Sequence, residues 1–147
     1  MGISYFFKCP KCGYVLEIHL GFGGFATPRW HRENLKAVYN GELGEEIQKF
    51  LLENPNGTIG HENILKKCTQ CGQYETTQDL TMYLPQENIS GRKKFKIFKK
   101  YPHKCKHCGS DVEIYTDKDI FEHKCNVTCP NCQIEMIEDE MKGGIWD

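Results

Sequence analysis

A chain of 147 residues has room for one domain or two small ones. Leu, Ile, Val and Phe supply only 33 of those residues, which excludes a large apolar core and points to a fold held by metals or disulfides, for which nine cysteines are present. The formal charge is −1, and eight thiolates holding two divalent ions would lower it to about −5, which argues against nonspecific nucleic-acid binding as the main property.

The first segment, "MGISYFFKCPKCG", shows no charged stretch leading into a long apolar run, and no stretch of the chain reaches the length of a membrane span. Phe6 stands where a myristoylation signal needs Ser or Thr. The expectation is therefore a cytoplasmic protein without a membrane partner, whose paired cysteines are metal ligands. After Cys9 and Cys12, "YVLEIHLGFGGF" alternates apolar and polar residues and then meets glycines, predicting a strand and a turn. "TPRWHRENLKAVYNG" predicts a helix with Thr27 as N-cap, Pro28 in its first position and Asn40 and Gly41 at its end. "LGEEIQKFLLENPNG" predicts a second helix, with Glu45 and Glu46 at its positive end, Ile47, Phe50 and Leu51 on one face, and Pro55 and Gly57 as the stop.

"TIGHENILKKC" leads as a strand into Cys68 and Cys71, and "YETTQDLTMYLP" reads as extended. "PQENISGR" is the expected join between halves. Beyond it "KKFKIFKKYPHK", "DVEIYTD" and "CQIEMIE" are strand candidates, and Trp146 is the residue of the tail expected to be anchored. The expected fold is α+β: residues 1–88 form a module with a helical insertion at about 28–54, and residues 89–147 form a second module.

Four CxxC pairs carry the chemistry: Cys9 and Cys12, Cys68 and Cys71, Cys105 and Cys108, Cys129 and Cys132. A CxxC turn places two thiolates on one side of a tight loop, where backbone N–H groups point at sulfur and a following glycine takes a positive φ. Two turns complete a tetrahedron, and four soft thiolates select zinc or iron over magnesium or calcium. Four pairs match in three ways. The expected match joins neighbours. Cys105 and Cys108 go with Cys129 and Cys132 across 20 residues, and Cys9 and Cys12 go with Cys68 and Cys71 across 55, the longer loop being tolerable because closure entropy grows only logarithmically.

"CPKCGY" and "CPNCQ" resemble the knuckles of zinc ribbons and of the rubredoxin-like group. The resemblance covers the knuckles and the strands after them, about a third of the chain, and extends to uncharacterised bacterial proteins with paired zinc ribbons. It implies two antiparallel zinc-ribbon modules with two Zn²⁺, or iron as the alternative, and implies no activity. Gln133 stands where the other three knuckles have glycine. Cys125 has no partner and reads as a small half-buried side chain beside a site, with ligation in place of Cys129 or Cys132 as the alternative. His103, His107 and His123 lie near knuckles already supplied with four thiolates.

"GFGGFA" fits the form of a dinucleotide-binding turn, but it follows a metal knuckle and no second strand–helix unit comes after it, so a hairpin or a close backbone approach is expected instead. Between Ser90 and Ser110 there is no acidic residue, while Arg92, Lys94, Lys96, Lys99 and Lys100 alternate with Phe95, Phe98 and Tyr101. Those residues suit phosphates and stacked bases. The competing reading, which the chain's overall acidity favours, is an edge strand guarded by lysine or a solvated linker offsetting the anionic metal sites. No HExxH, nucleophile or deaminase pattern is present, and His61 and Glu62 lack a useful spacing. The sequence therefore predicts a non-enzymatic zinc-binding protein that serves as a binding or adaptor module for protein or nucleic acid, with no small-molecule substrate and with a rubredoxin-like electron carrier as the alternative.

Overall fold

The computed structural model describes residues 2–22, 28–87 and 94–146, in 28–32 for the backbone alone. Its elements in chain order are β1 (Gly2–Lys8), β2 (Val15–Gly21), α1 (Pro28–Tyr39), α2 (Glu45–Glu53), β3 (Thr58–Ile59), β4 (Asn63–Cys68), β5 (Tyr74–Gln78), β6 (Met82–Gln86), β7 (Lys94–Lys99), β8 (Val112–Tyr115), α3 (Asp117–Phe121), β9 (Ile137–Glu138) and β10 (Gly144–Trp146). The protein is α+β, mostly antiparallel sheet with few helices. No helix among the described residues is long and apolar enough to cross a membrane.

The chain divides into two compact units. The first takes in Met1–Phe25, Glu62–Gln78 and His103–Asp147, the second Ala26–His61 and Asp79–Pro102. The expected halves 1–88 and 89–147 each contribute to both units, because the second unit is made of two stretches on either side of Glu62–Gln78.

In the first unit the strands run in the order β10-β1-β2-β4-β5, with β9 also on β1 and β8 also on β4. β1 leads into the first cysteine pair, and no expectation had placed a strand there. Its alternation buries Tyr5 and Phe7 with Leu16, Ile18 and Leu20 of β2 and Leu65 of β4. The expected anchoring of Trp146 is observed. β10 pairs with β1, the indole Nε1 donates to the Leu20 carbonyl at 3.1 Å, and the ring meets His19 edge-on at 5.5 Å. Gly2 lies opposite Trp146, and a Cβ there would sit 2.2 Å from Nε1. α3 is a single turn that starts at the last residue of "DVEIYTD" and runs on past it, where no element was expected. It is capped by Thr116, whose hydroxyl accepts from the Asp119 N–H while the Asp119 carboxylate accepts from the Thr116 N–H at 2.8 Å.

The second unit holds both expected helices and the sheet β3-β6-β7. Val38 of α1 and Ile47, Phe50 and Leu51 of α2 bury against Ile59 and Met82; for α2 these are the residues that the helical spacing placed on one face. α1 closes where Gly41 takes φ 78° and its N–H bonds the Val38 carbonyl. α2 ends at Asn54, whose side chain and backbone both return to the Phe50 carbonyl. The Thr27 cap and the glycines of "GFGGFA" beyond Phe22 lie outside the described residues.

Candidate metal centres

All four CxxC turns are built alike. In each, the residue before the first cysteine faces the residue six positions after that cysteine: Lys8 opposite Val15, Lys67 opposite Tyr74, Lys104 opposite Asp111, Thr128 opposite Glu135. The N–H of the first cysteine donates to the carbonyl five residues on, at 2.8 to 2.9 Å, from Cys9 to Tyr14, Cys68 to Gln73, Cys105 to Ser110 and Cys129 to Ile134. The fifth residue of each turn is left-handed: Gly13 at φ 74°, Gly72 at 70°, Gly109 at 73° and Gln133 at 60°. Glutamine thus adopts the conformation that glycine supplies elsewhere, and its N–H still bonds the Cys129 carbonyl at 2.8 Å. The fourth knuckle keeps the common geometry with a residue for which that φ is unfavourable.

The knuckles do not match as neighbours. Cys9 and Cys12 lie with Cys129 and Cys132, and Cys68 and Cys71 lie with Cys105 and Cys108. Within each group the four sulfurs are within 4.8 Å of one another. The sheet explains the correction. β9, just past the fourth knuckle, pairs with the end of β1 at Phe7 and Lys8, next to the first. β8, just past the third, pairs with the end of β4, setting Val112 opposite Cys68. Strand register selects the partners, whereas loop length discriminates weakly between them.

Both groups fit a tetrahedral ion. A metal–sulfur bond of ~2.3 Å requires sulfurs about 3.8 Å apart. Cys12 and Cys129 are 3.6 Å apart, Cys68 and Cys108 3.4 Å, Cys71 and Cys105 3.6 Å. The first cysteine of every knuckle is buried, while Cys12 and Cys108 are exposed. Backbone N–H groups point at the buried sulfurs: Cys12 N–H at Cys9 Sγ (3.5 Å), and the N–H groups of Gln70 and Cys71 at Cys68 Sγ (3.4 Å each). The N–H of Cys12, aided by that of Lys11, draws the Cys9 thiol down to about 6, and the N–H of Cys71 does the same for Cys68. By contrast Cys132 is pushed up to about 12 by its hydrogen bond with Cys12, by burial and by Cys9. Without a cation, four sulfurs this close cannot all ionise; a divalent ion removes that conflict.

Two side chains that the sequence reading passed over tie the groups together within the first unit. The Tyr74 hydroxyl accepts from the Thr128 N–H at 2.9 Å, and Lys67 Nζ reaches the Asn126 carbonyl at 3.3 Å and the Thr128 hydroxyl at 3.2 Å. Superposing the four knuckles would have found them, since Lys67, Tyr74 and Thr128 all occupy the residue pairs that flank a turn. Lys66 is buried beside the second knuckle and pairs with Glu75 at 2.8 Å. Burial alone would raise the Glu75 carboxyl, but its hydrogen bond with Lys66 and the charges of Lys66 and Lys106 hold it below the usual carboxylate range.

Cys125 belongs to neither group. It is buried in the apolar core beside Cys129, deeper than expected, and desolvation pushes its thiol up to about 11. His107 and His123 are exposed, and no histidine among the described residues joins a cysteine group. Of the basic residues singled out in the sequence, Arg92 lies outside the described residues and Lys94, Lys96, Lys99 and Lys100 are exposed. Comparison of the chain with protein-family models, curated proteins and solved structures gave no match.

Proposed function

We propose that the protein is a structural zinc-binding protein in which two Zn²⁺ ions, each held by four thiolates, fix the first unit so that the molecule serves as a binding or adaptor module for a protein or nucleic acid. The observation that carries the reading is the pair of four-sulfur groups with tetrahedral spacing. Four thiolates fill a zinc ion's coordination and leave no position for water or substrate, so in this reading the protein is not an enzyme. A reducing cytoplasm suits it, because there the thiols stay available to metal.

A second reading has its own support. Cys12 and Cys108 place one exposed sulfur at each site, and the N–H groups aimed at Cys9 and Cys68 suit an iron tetrathiolate, whose potential depends on such bonds and on exposure. This is the electron-carrier alternative. Metal analysis of protein purified from cells, together with its visible spectrum, separates the two. Two zinc ions per chain and no visible absorption are expected. Iron with thiolate-to-iron absorption, or a chain that purifies folded and metal-free, overturns the zinc reading.

A further inference from the structure

We propose that the outer face of the β6–β7 hairpin binds single-stranded nucleic acid, with bases on the sheet face and phosphates along the free edge of β7. The inference rests on the reading of the protein as a binding module and names its partner class.

Antiparallel register sets Pro85 opposite Phe95 and Tyr83 opposite Ile97, so these four side chains share one face. The opposite face carries Met82, buried in the unit's core, and Leu84, packed against it. Phe95 is 44% exposed and Ile97 54%. An uncovered row of ring and aliphatic side chains on a sheet is a stacking platform for bases, and such stacking is indifferent to sequence.

Charge identifies what the row would meet. β7 is the edge strand of its sheet, and all six of its residues are exposed. Lys99 is engaged by Glu46, whereas the side chains of Lys94, Lys96 and Lys100 have no ion pair or hydrogen bond among the described residues. The nearest chain neighbours add no acid between Ser90 and Ser110. Lys94 and Lys96, opposite Gln86 and Leu84, alternate with Phe95 and Ile97 and so leave the edge of β7 on the other face. Cations along that edge, with the row of Phe95 and Ile97 on the outer face, complement a polyanion that also presents flat apolar groups.

A protein strand is the weaker occupant of this edge. Alternate lysines blunt an edge against strand addition. The register also passes from Ile97 opposite Tyr83 to Lys99 opposite Met82, leaving Phe98 as a bulge that stacks on Phe50 at 5.0 Å. A bulge breaks the even ladder that an added strand needs.

The test is fluorescence anisotropy of a short labelled oligo(dT) and the matching oligo(rU) with the metal-loaded full chain, in which metal content is measured in parallel. Both oligonucleotides should bind, since stacking and phosphate contact do not depend on the 2′-hydroxyl. Three phosphate contacts give a slope of about −2 in log affinity against log salt, or roughly a 20-fold loss between ~50 and ~200 mM. The triple variant Lys94→Gln, Lys96→Gln, Lys100→Gln should lose most of that slope. Phe95→Ala should lower affinity about ten-fold with the slope unchanged, and Phe95→Tyr should restore it. Absence of binding by protein that carries both metals overturns the inference and leaves the metal reading standing. Binding that ignores Phe95→Ala reduces the face to nonspecific charge and overturns it too, as does self-association of the wild type through β7. Aggregation of the lysine variant, with no wild-type binding, assigns the lysines to guarding the edge alone.

Discussion

The crossed pairing of the knuckles can be tested by counting metals in double variants. Replacing Cys12 by Ser removes one sulfur from the group that includes Cys129 and Cys132, and replacing Cys71 by Ser removes one from the group that includes Cys105 and Cys108. Each single variant should keep about one metal per chain. Cys12→Ser with Cys132→Ser should also keep one, because both changes fall on the same site, whereas Cys12→Ser with Cys71→Ser should keep none. The sites are also nested: Cys12 and Cys129 are 117 residues apart and enclose Cys68 and Cys108, which are 40 apart. Closing the inner site first shortens the free outer loop to about 77 residues, and with closure entropy scaling as (3/2)RT ln n this helps the outer site by only ~0.4 kcal/mol, about two-fold in affinity. Apparent binding energies of structural zinc are ~10–16 kcal/mol, so losing a ligand dominates and the metal count should be clean. The assay is elemental analysis of gel-filtered protein. If Cys12→Ser with Cys71→Ser retains one metal while Cys12→Ser with Cys132→Ser retains none, the pairing argued from strand register is wrong.

Further tests address the supports of these sites. Cys125→Ser should keep both metals and cost only about 1–2 kcal/mol for a hydroxyl placed in an apolar pocket, far less than Cys71→Ser, as read by thermal melting. Gly2→Ala drives a Cβ into the Trp146 ring and to within 2.7 Å of the Leu20 carbonyl; β10 should detach, with a red-shifted tryptophan emission and a loss of about 1–3 kcal/mol. Tyr74→Phe leaves the Thr128 N–H without its acceptor and should cost about 1–3 kcal/mol while leaving both metals bound. Glu75→Gln strips the buried Lys66 of its counter-charge and should cost about 3–5 kcal/mol at neutral pH. Because the Glu75 carboxyl is depressed in the folded protein, its contribution is present above the unfolded carboxylate range and is lost as pH falls through the folded value. The gap between wild type and Glu75→Gln should therefore close on acidification, and a gap that widens instead would refute the pairing.

The four cysteine pairs and both helices were legible because their signals are local. CxxC spacing fixes two sulfurs within one turn, and the apolar face of α2 repeats within nine residues. α3 is also legible in principle, since Thr116 three residues before Asp119 is a helix-start pattern, but at five residues it is too short to show a helical apolar face. Partner choice among the knuckles was not legible. It depends on which strands lie side by side: β8 and β9 fall within the strand candidates "DVEIYTD" and "CQIEMIE", but alternation does not say which neighbour a strand takes. The division into units failed to show for the same reason, because the second unit gathers residues from both sides of a knuckle.

That gathering is compatible with intact metal sites because of where the first-unit chain leaves and returns. β2 ends at Gly21, which lies opposite Asn63 at the start of β4, and Asn63 in turn lies opposite Gln78 at the end of β5. The excursion carrying both helices therefore starts and finishes at neighbouring sheet positions, and the next one starts beside them at Gln78 and ends before the Lys104–Asp111 bridge of the third knuckle. Chain inserted between ends already held together by a ladder adds closure entropy only as the logarithm of its length. The four knuckles can then keep one shared geometry while roughly sixty residues fold elsewhere into a core of their own. Metal held by the thiolates would supply the stability that a thin apolar core does not, which would leave the surface of the second unit free of that task.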